Sequence, residues 1–181
     1  PEGIGQIGKG WFAGSEIESV TIPASVREIQ ADAFSCCRGL AKVEFEQPGS
    51  LLKVIGKEAF YGCGSLRTID LPNGLEEIGL RAFRESGIEG IATPESVRTI
   101  HQSAFCKCPN LRQAVLNEGL EALGTDEYTP DGRPLYGVFQ ESGVESIEMP
   151  STLKRIEYNT FKNCKNLNSI DLPVSLRYIG E

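Results

Sequence analysis

The sequence predicts a solenoid: short units stacked into a parallel β-strand ladder on one face, with turns and helical or 3₁₀ turns on the other. The main observation is a dipeptide ending in phenylalanine, which recurs as Trp11-Phe12, Ala33-Phe34, Ala59-Phe60, Ala82-Phe83, Ala104-Phe105, Val138-Phe139 and Thr160-Phe161. The steps between these phenylalanines are 22, 26, 23, 22, 34 and 22 residues, from differences such as 34 − 12 = 22. A second column keeps this rhythm at Ile7, Ile29, Ile55, Ile78 and Ile100. Such a period indicates stacked repeats, because one unit alone cannot bury its apolar residues.

Each unit divides into a strand, a proline and a turn. The segment at residues 66–71 ends in alternating apolar and polar residues, which is typical of a short strand. Pro72 ends it, because proline lacks the N–H that a ladder needs. Leu75 and Ile78 are predicted to turn the chain back. The Ala-Phe-x-x-Cys stretch is too short for a stable helix and predicts a helical or 3₁₀ turn.

The composition narrows the class of protein. Hydrophobic residues make up 40% of the 181, a fraction too high for a disordered chain. Polar residues interrupt them too often for a membrane-spanning segment. Asp and Glu exceed Lys and Arg by 25 to 18, so the formal net charge is −7. This acidic balance argues against nucleic acid or an anionic membrane as the main partner. We therefore expect protein partners, with no nucleic acid and no direct membrane insertion.

The units at residues 59–72 and 160–173 carry a family resemblance. Both contain Phe-x-x-Cys-x-x-Leu-x-x-Ile-x-Leu-Pro, and this pattern resembles the BspA-type leucine-rich repeat, which then extends over essentially the entire chain. The resemblance implies a leucine-rich-repeat solenoid, found in cell-surface or secreted proteins that bind host or matrix proteins. It implies a fold and a binding role but no ligand.

The repeat predicts a single domain over residues 1–181, with about seven stacked units of 22–23 residues. Pro1 falls at the proline position of the repeat, and Glu181 stops within a unit. Neither end carries the polar cap that repeat arrays need in water. We therefore expect an excerpt of a longer array, or ends covered by other segments.

The predicted strand ladder offers one candidate binding surface. Carboxylates recur at the second outward position of the strands, as Glu44, Asp70, Glu148 and Asp171. Small residues interrupt this series at Gly90 and Ala92. One interpretation is a shallow acidic face that prefers a basic partner. The alternative is an ordinary solvated sheet face, since it contains no aromatic anchor.

An insertion near residues 125–135 offers a second candidate. It lengthens the step from Phe105 to Phe139, and Pro130-Asp131-Gly132 within it is a turn sequence. Side chains of the types enriched in interface hot spots lie nearby, at Tyr128, Arg133 and Tyr136. The alternative is a tolerated surface insertion, because lengthening a loop costs little entropy.

Four of the six cysteines lie three residues after a repeat phenylalanine, at Cys37, Cys63, Cys108 and Cys164. This shared register predicts buried, structural thiols. Cys37 and Cys63 belong to consecutive coils, where the spacing would permit a disulfide. Cys36 and Cys106 lie outside the register and are predicted to be exposed.

The sequence offers little for catalysis. His101 is the only histidine, and nothing near it in sequence supplies an activated nucleophile. Phosphate-binding and metalloprotease motifs are also absent from the sequence. We therefore expect no enzyme, no cofactor and no metal. The leading hypothesis is a non-catalytic protein-interaction module for adhesion or recognition, and the alternative is a structural scaffold within a larger assembly.

Overall fold

The computed structural model describes residues 3–46, 49–125 and 135–180. Its thirteen strands are β1 (Gln6–Ile7), β2 (Ser19–Ile22), β3 (Glu28–Ile29), β4 (Lys42–Phe45), β5 (Val54–Ile55), β6 (Glu77–Ile78), β7 (Gly90–Ala92), β8 (Thr99–Ile100), β9 (Gln113–Val115), β10 (Ala122–Leu123), β11 (Ser146–Glu148), β12 (Arg155–Ile156) and β13 (Tyr178–Ile179). Each strand pairs in parallel with the equivalent strand of the neighbouring coil, which is the pairing expected of a solenoid.

One sheet runs the length of the stack. Its eight strands follow the order β1-β3-β5-β6-β8-β10-β12-β13, so each coil contributes one strand. The register pairs Ile7 with Ile29 and Ile55 with Ile78, which aligns the isoleucines into one column. Within the stack these side chains are buried, so the column forms one wall of the core.

A second, interrupted ladder lies on another side of the coils. It consists of the pair β2-β4 and the three-stranded sheet β11-β9-β7. The segment at residues 66–72 lies between them in the chain and contains no strand. We call the exposed side of these five strands, together with residues 68–71, the strand face.

The strand predicted at residues 66–71 is therefore wrong for this unit. The residues predicted to turn the chain back, Leu75 to Ile78, instead contain β6. Ile78 lies five residues before Phe83, and most coils keep this spacing between the isoleucine and the phenylalanine. The constant spacing preserves the register of the eight-stranded sheet. The break in the other ladder falls in the coil after the 26-residue step from Phe34 to Phe60, whereas β9 and β11 pair across the longer, 34-residue step.

The turn around each phenylalanine is not helical, so the prediction of helical or 3₁₀ turns is not confirmed; no helix occurs in the described ranges. Around Phe34, the residues two before and two after it, Asp32 and Cys36, have left-handed φ values of 60° and 59°. The Ser35 N–H donates within the turn to the Asp32 carbonyl, at 3.0 Å. The Phe34 N–H instead donates to Ala59 of the next coil, at 2.8 Å. Successive N–H groups of the turn thus alternate between hydrogen bonds within the coil and hydrogen bonds to the next coil. In a continuous helix every N–H would bond within the helix.

A continuous stack of phenylalanine rings fills the core at these turns. Ring centroids of neighbouring coils are 5.2 to 5.6 Å apart from Phe12 to Phe139, and the rings are parallel within 13°. Phe161 continues the stack at 6.1 Å. The five inner rings are completely buried, at Phe34, Phe60, Phe83, Phe105 and Phe139. This confirms the inward phenylalanine column that the repeat predicted.

We predict that Phe60→Ala or Phe83→Ala lowers the free energy of unfolding by about 3–5 kcal/mol, because each leaves a cavity between two stacked rings. Urea denaturation of the whole chain measures this loss. Trp11→Ala is the matched control, since Trp11 is 61% exposed and its loss should cost less than about 0.5 kcal/mol. A loss below about 1 kcal/mol for both phenylalanine variants would contradict the stacked core.

Candidate functional site

The outward side chains of the strand face form two aligned columns. In the three-stranded sheet the register places Gly90 beside Gln113, and Ala92 beside Val115. In the two-stranded sheet it places Thr21 beside Glu44. Ala92, Glu44 and Glu148 are exposed, whereas the residues between the outward positions, such as Ile91, are buried. The strand face therefore presents a regular outward pattern, as the alternation predicted.

The structure does not bring the four predicted carboxylates into one cluster. Glu44 forms an ion pair at 2.8 Å with Lys42 of its own strand. Glu148 accepts a hydrogen bond from the Gln113 Nε2, at 3.2 Å. Asp70 and Asp171 are exposed in the third and the last coil. The acidic column is thus split, with uncharged outward residues in the two coils between Asp70 and Glu148.

The uncharged part of the strand face contains a hollow of about 450 Å³. It is lined by residues 68–71, 73, 90–94, 113, 115 and 117, and we call it the central hollow. Gly90 and Ala92 contribute almost no side chain to it. A Cβ at Gly90 would lie 3.8 Å from the Gln113 carbonyl oxygen, so no protein atom occupies this space.

The sequence analysis missed Asn117, which lies at the rim of this hollow. Asn117 occupies the position of Pro94 in the preceding unit. Its N–H donates to the Thr93 hydroxyl at 3.1 Å, and its side-chain Nδ2 donates to the Thr93 carbonyl at 2.6 Å. Asn117 is therefore held in one orientation at the rim. The replacement of the repeat proline by asparagine was the signal in the sequence that could have identified it.

The ends of the insertion are held by two buried residues of the preceding coil. Gln102 Nε2 donates to the Thr125 carbonyl at 2.9 Å, and the Ser103 hydroxyl donates to the Tyr136 carbonyl at 2.8 Å. Both side chains are completely buried. The predicted binding residues Tyr128 and Arg133 lie outside the described residues.

Tyr136 is the insertion residue that the structure places at the surface. It is 39% exposed, which agrees with an accessible side chain. The Arg84 guanidinium lies 5.0 Å and the Lys107 ammonium 5.6 Å from the centre of its ring. These cation–π contacts orient the ring, so Tyr136 presents a fixed aromatic surface.

The groups considered for catalysis have structural partners. His101 Nε2 lies 3.1 Å from a Glu77 carboxylate oxygen. Cys106 is buried, so its predicted exposure is wrong, and burial raises the pKa of its thiol to about 11. Among the described residues, no group of three or more His, Cys, Asp or Glu side chains could hold a metal ion. The same part of the chain contains no helix of the length and apolarity needed to cross a membrane.

The cysteines in register with the phenylalanines form a hydrogen-bonded column. Each thiol donates to the carbonyl of the phenylalanine one coil earlier, as from Cys63 to Phe34 at 3.2 Å and from Cys108 to Phe83 at 3.0 Å. Burial raises the pKa of both thiols to about 12. Cys37 and Cys63 are free thiols, so the possible disulfide between them is not formed. Cys37, Cys63 and Cys108 are buried in the core as predicted, whereas Cys164 is only half-buried.

The BspA type leucine-rich repeat region matches this chain in six copies, over residues 44–129 and 136–181. The chain belongs to the BspA-type leucine-rich repeat family. This membership agrees with the resemblance carried by the Phe-x-x-Cys units. No curated protein matches the sequence.

Solved structures of leucine-rich repeat proteins share the fold. A protein from Bacteroides ovatus is 31% identical with a TM-score of 0.81, over 97% of this chain and 43% of that one. A protein from T. pallidum is 26% identical with a TM-score of 0.75, over 91% of this chain and 72% of that one. A third, from Eubacterium ventriosum, is 20% identical with a TM-score of 0.52, over 97% and 60%. The chain spans less than half of the B. ovatus protein, and these likenesses confirm the predicted leucine-rich-repeat solenoid.

We predict that the buried thiols stay protonated well above the ordinary cysteine pKa of 9.0. In Ellman's titration at pH 8, the exposed Cys36 should react at once, whereas Cys63 and Cys108 should react only in denaturant. Because their pKa values are raised in the folded state, the thiols contribute stability below pH 9. This contribution should be lost as the pH rises from about 9 to about 12. Rapid reaction of all six thiols in the native protein would contradict the buried column.

Proposed function

We propose that this chain is a non-catalytic protein-recognition module that binds its partner on the strand face, with the insertion contributing at its side. The observation that carries this proposal is the central hollow, an unfilled space of about 450 Å³ on the exposed side of a regular strand ladder. Its volume falls within the range of about 300–1,000 Å³ that is typical of ligand pockets.

The rigidity of the strand face supports this proposal. The strands that carry Gly90 and Gln113 are hydrogen-bonded to each other, and Asn117 is fixed by two hydrogen bonds to Thr93. A surface that is already ordered loses little conformational entropy on binding. Tyr136, held in place by Arg84 and Lys107 beside the phenylalanine turns, offers a second, aromatic contact point for a partner.

Family membership supports a binding role rather than catalysis. It also agrees with the cell-surface or secreted location that the resemblance implied. A structural role within a larger assembly is a second candidate. It is the alternative that the sequence analysis raised, and the exposed side chain of Val174 offers a position from which to probe it.

Photo-crosslinking at defined positions tests these proposals. Benzoylphenylalanine replaces Ser146 on the strand face, Tyr136 at the insertion, Val174 on the last coil, or Glu76 on the side that leads into β6. All four residues are exposed, so the substitutions should leave the fold intact. Each variant of the whole chain is irradiated with extracts and secreted proteins of the cells that carry it, and crosslinked proteins are identified by mass spectrometry.

We expect one protein to be crosslinked from Ser146 and Tyr136 and not from the control position Glu76. Crosslinking from Val174 alone, to another subunit of an assembly, would favour the structural role. Equal labelling from Ser146 and Glu76, or none from either, would contradict recognition by the strand face.

A further inference from the structure

We infer that the central hollow binds a lysine or arginine side chain projecting from an extended segment of a protein partner. This inference rests on the proposed function, because it assigns a chemistry to the surface proposed for recognition. It follows from the polar atoms at the rim of the hollow, from the shape of its floor, and from the charges on either side.

The wall of the hollow nearer the N-terminal coils carries a carboxylate with no partner. Asp70 is exposed, and no described residue forms an ion pair or a hydrogen bond with its side chain. Glu44, at the same position of the preceding coil, is already paired with Lys42 at 2.8 Å. Asp70 is therefore the carboxylate on this part of the strand face that is available to a ligand.

The opposite wall carries the side-chain amides of Gln113 and Asn117. The Gln113 Nε2 is directed to Glu148 at 3.2 Å, and the Asn117 Nδ2 is directed to the Thr93 carbonyl at 2.6 Å. Each NH₂ group makes one of its two possible hydrogen bonds within the protein, and among the described residues no donor reaches either amide oxygen, so both oxygens can accept from a ligand. The rim thus combines one carboxylate with two amide oxygens.

A rim of acceptors selects a ligand that is rich in donors. An ammonium group has three donors and a guanidinium has five, and neither has an acceptor. Charge-assisted hydrogen bonds to a carboxylate are about twice as strong as neutral ones. A carboxylate or a phosphate would be repelled by the exposed carboxylate of Asp70.

The floor of the hollow suits the aliphatic part of a basic side chain. The outward apolar groups of Ala92 and Val115 line it, while Gly90 leaves it open. Lysine and arginine place their methylene groups along apolar surface and keep the charged group among polar atoms. A hollow of about 450 Å³ takes such a side chain without any movement of the strands.

Charges on either side favour further basic residues along the same partner segment. The outward columns of the strand face continue to Glu44 on one side and Glu148 on the other. Both carboxylates are exposed, and the whole chain has a net charge of −7. Further basic side chains of the partner would therefore be attracted to this surface.

Synthetic peptides test the inference on the purified whole chain. The probe is an acetylated, amidated peptide of Ser-Arg repeats with a fluorescent label. Its twin carries citrulline, which keeps the shape of arginine and removes the charge. Fluorescence anisotropy at low ionic strength gives the dissociation constants. We expect the arginine peptide to bind at least about tenfold more tightly, the size expected for losing a charge-assisted hydrogen bond.

Two pairs of variants locate the binding. Asp70→Asn should weaken the arginine peptide about tenfold, whereas Asp171→Asn, at the same position of the last coil, should change it by less than about twofold. Ala92→Phe should abolish binding by filling the hollow, and Thr21→Phe, at the same position of the first coil, should not. Ala92 and Thr21 are both exposed, so neither substitution should unfold the chain.

Equal binding of the two peptides, or equal effects of Asp70→Asn and Asp171→Asn, would overturn the inference. If a protein is nevertheless crosslinked from Ser146, recognition by the strand face stands and the assigned ligand is wrong. If the arginine peptide binds and depends on Asp70 while nothing is crosslinked, the chemistry of the hollow is supported and the proposed cellular role fails.

Discussion

The stacking of one phenylalanine ring on the next is the contact on which the rest of this structure depends. The rings repeat at 5.2 to 5.6 Å through the inner coils, which is close to the spacing of neighbouring β-strands. The alanine that precedes most of the phenylalanines is buried and leaves room for the next coil, as Ala59 does before Phe60. Ring stacking and strand pairing therefore set the same distance between coils, and each reinforces the other.

The stacking of the rings also explains the left-handed backbone conformation of the turns. A left-handed conformation costs a residue such as Arg81 about 1–3 kcal/mol, yet its φ is 57°. The conformation frees the Phe83 N–H to donate to Ala104 of the next coil at 2.9 Å. The turn thus adopts an unfavourable backbone conformation and gains a hydrogen bond between coils, beside the stacked rings. The central hollow lies on the strand face where Gly90 and Ala92 provide almost no side chain.

The core positions could be predicted from the sequence because they follow the repeat period. The turn conformations were missed because they depend on contacts between coils. Phe60, Ile78 and Cys63 were correctly placed in the core, because their spacing repeats. The left-handed turns were missed because Glu58 and Arg81 are not residues that favour that conformation, and hydrogen bonds to the next coil determine it.

The candidate site was predictable to a similar degree. Glu44, Asp70 and Glu148 were correctly placed on the outward side of the ladder by alternation alone. Their separation by the hollow could not be predicted, because Gly90 and Ala92 appeared only as an interruption of a charged series. The role of Asn117 depends on a hydrogen bond to Thr93 of the preceding coil, which no local pattern reveals.

Native-state hydrogen exchange, measured by NMR, tests most directly whether the phenylalanine turns hold the stack together. The amides of Phe34, Phe60, Phe83 and Phe105 each donate to the next coil. If the stack depends on these turns, their exchange should require global unfolding, with the same free energy as denaturation of the whole chain. The contradicting result would be exchange of these amides through local opening while the amides of the eight-stranded sheet stay protected.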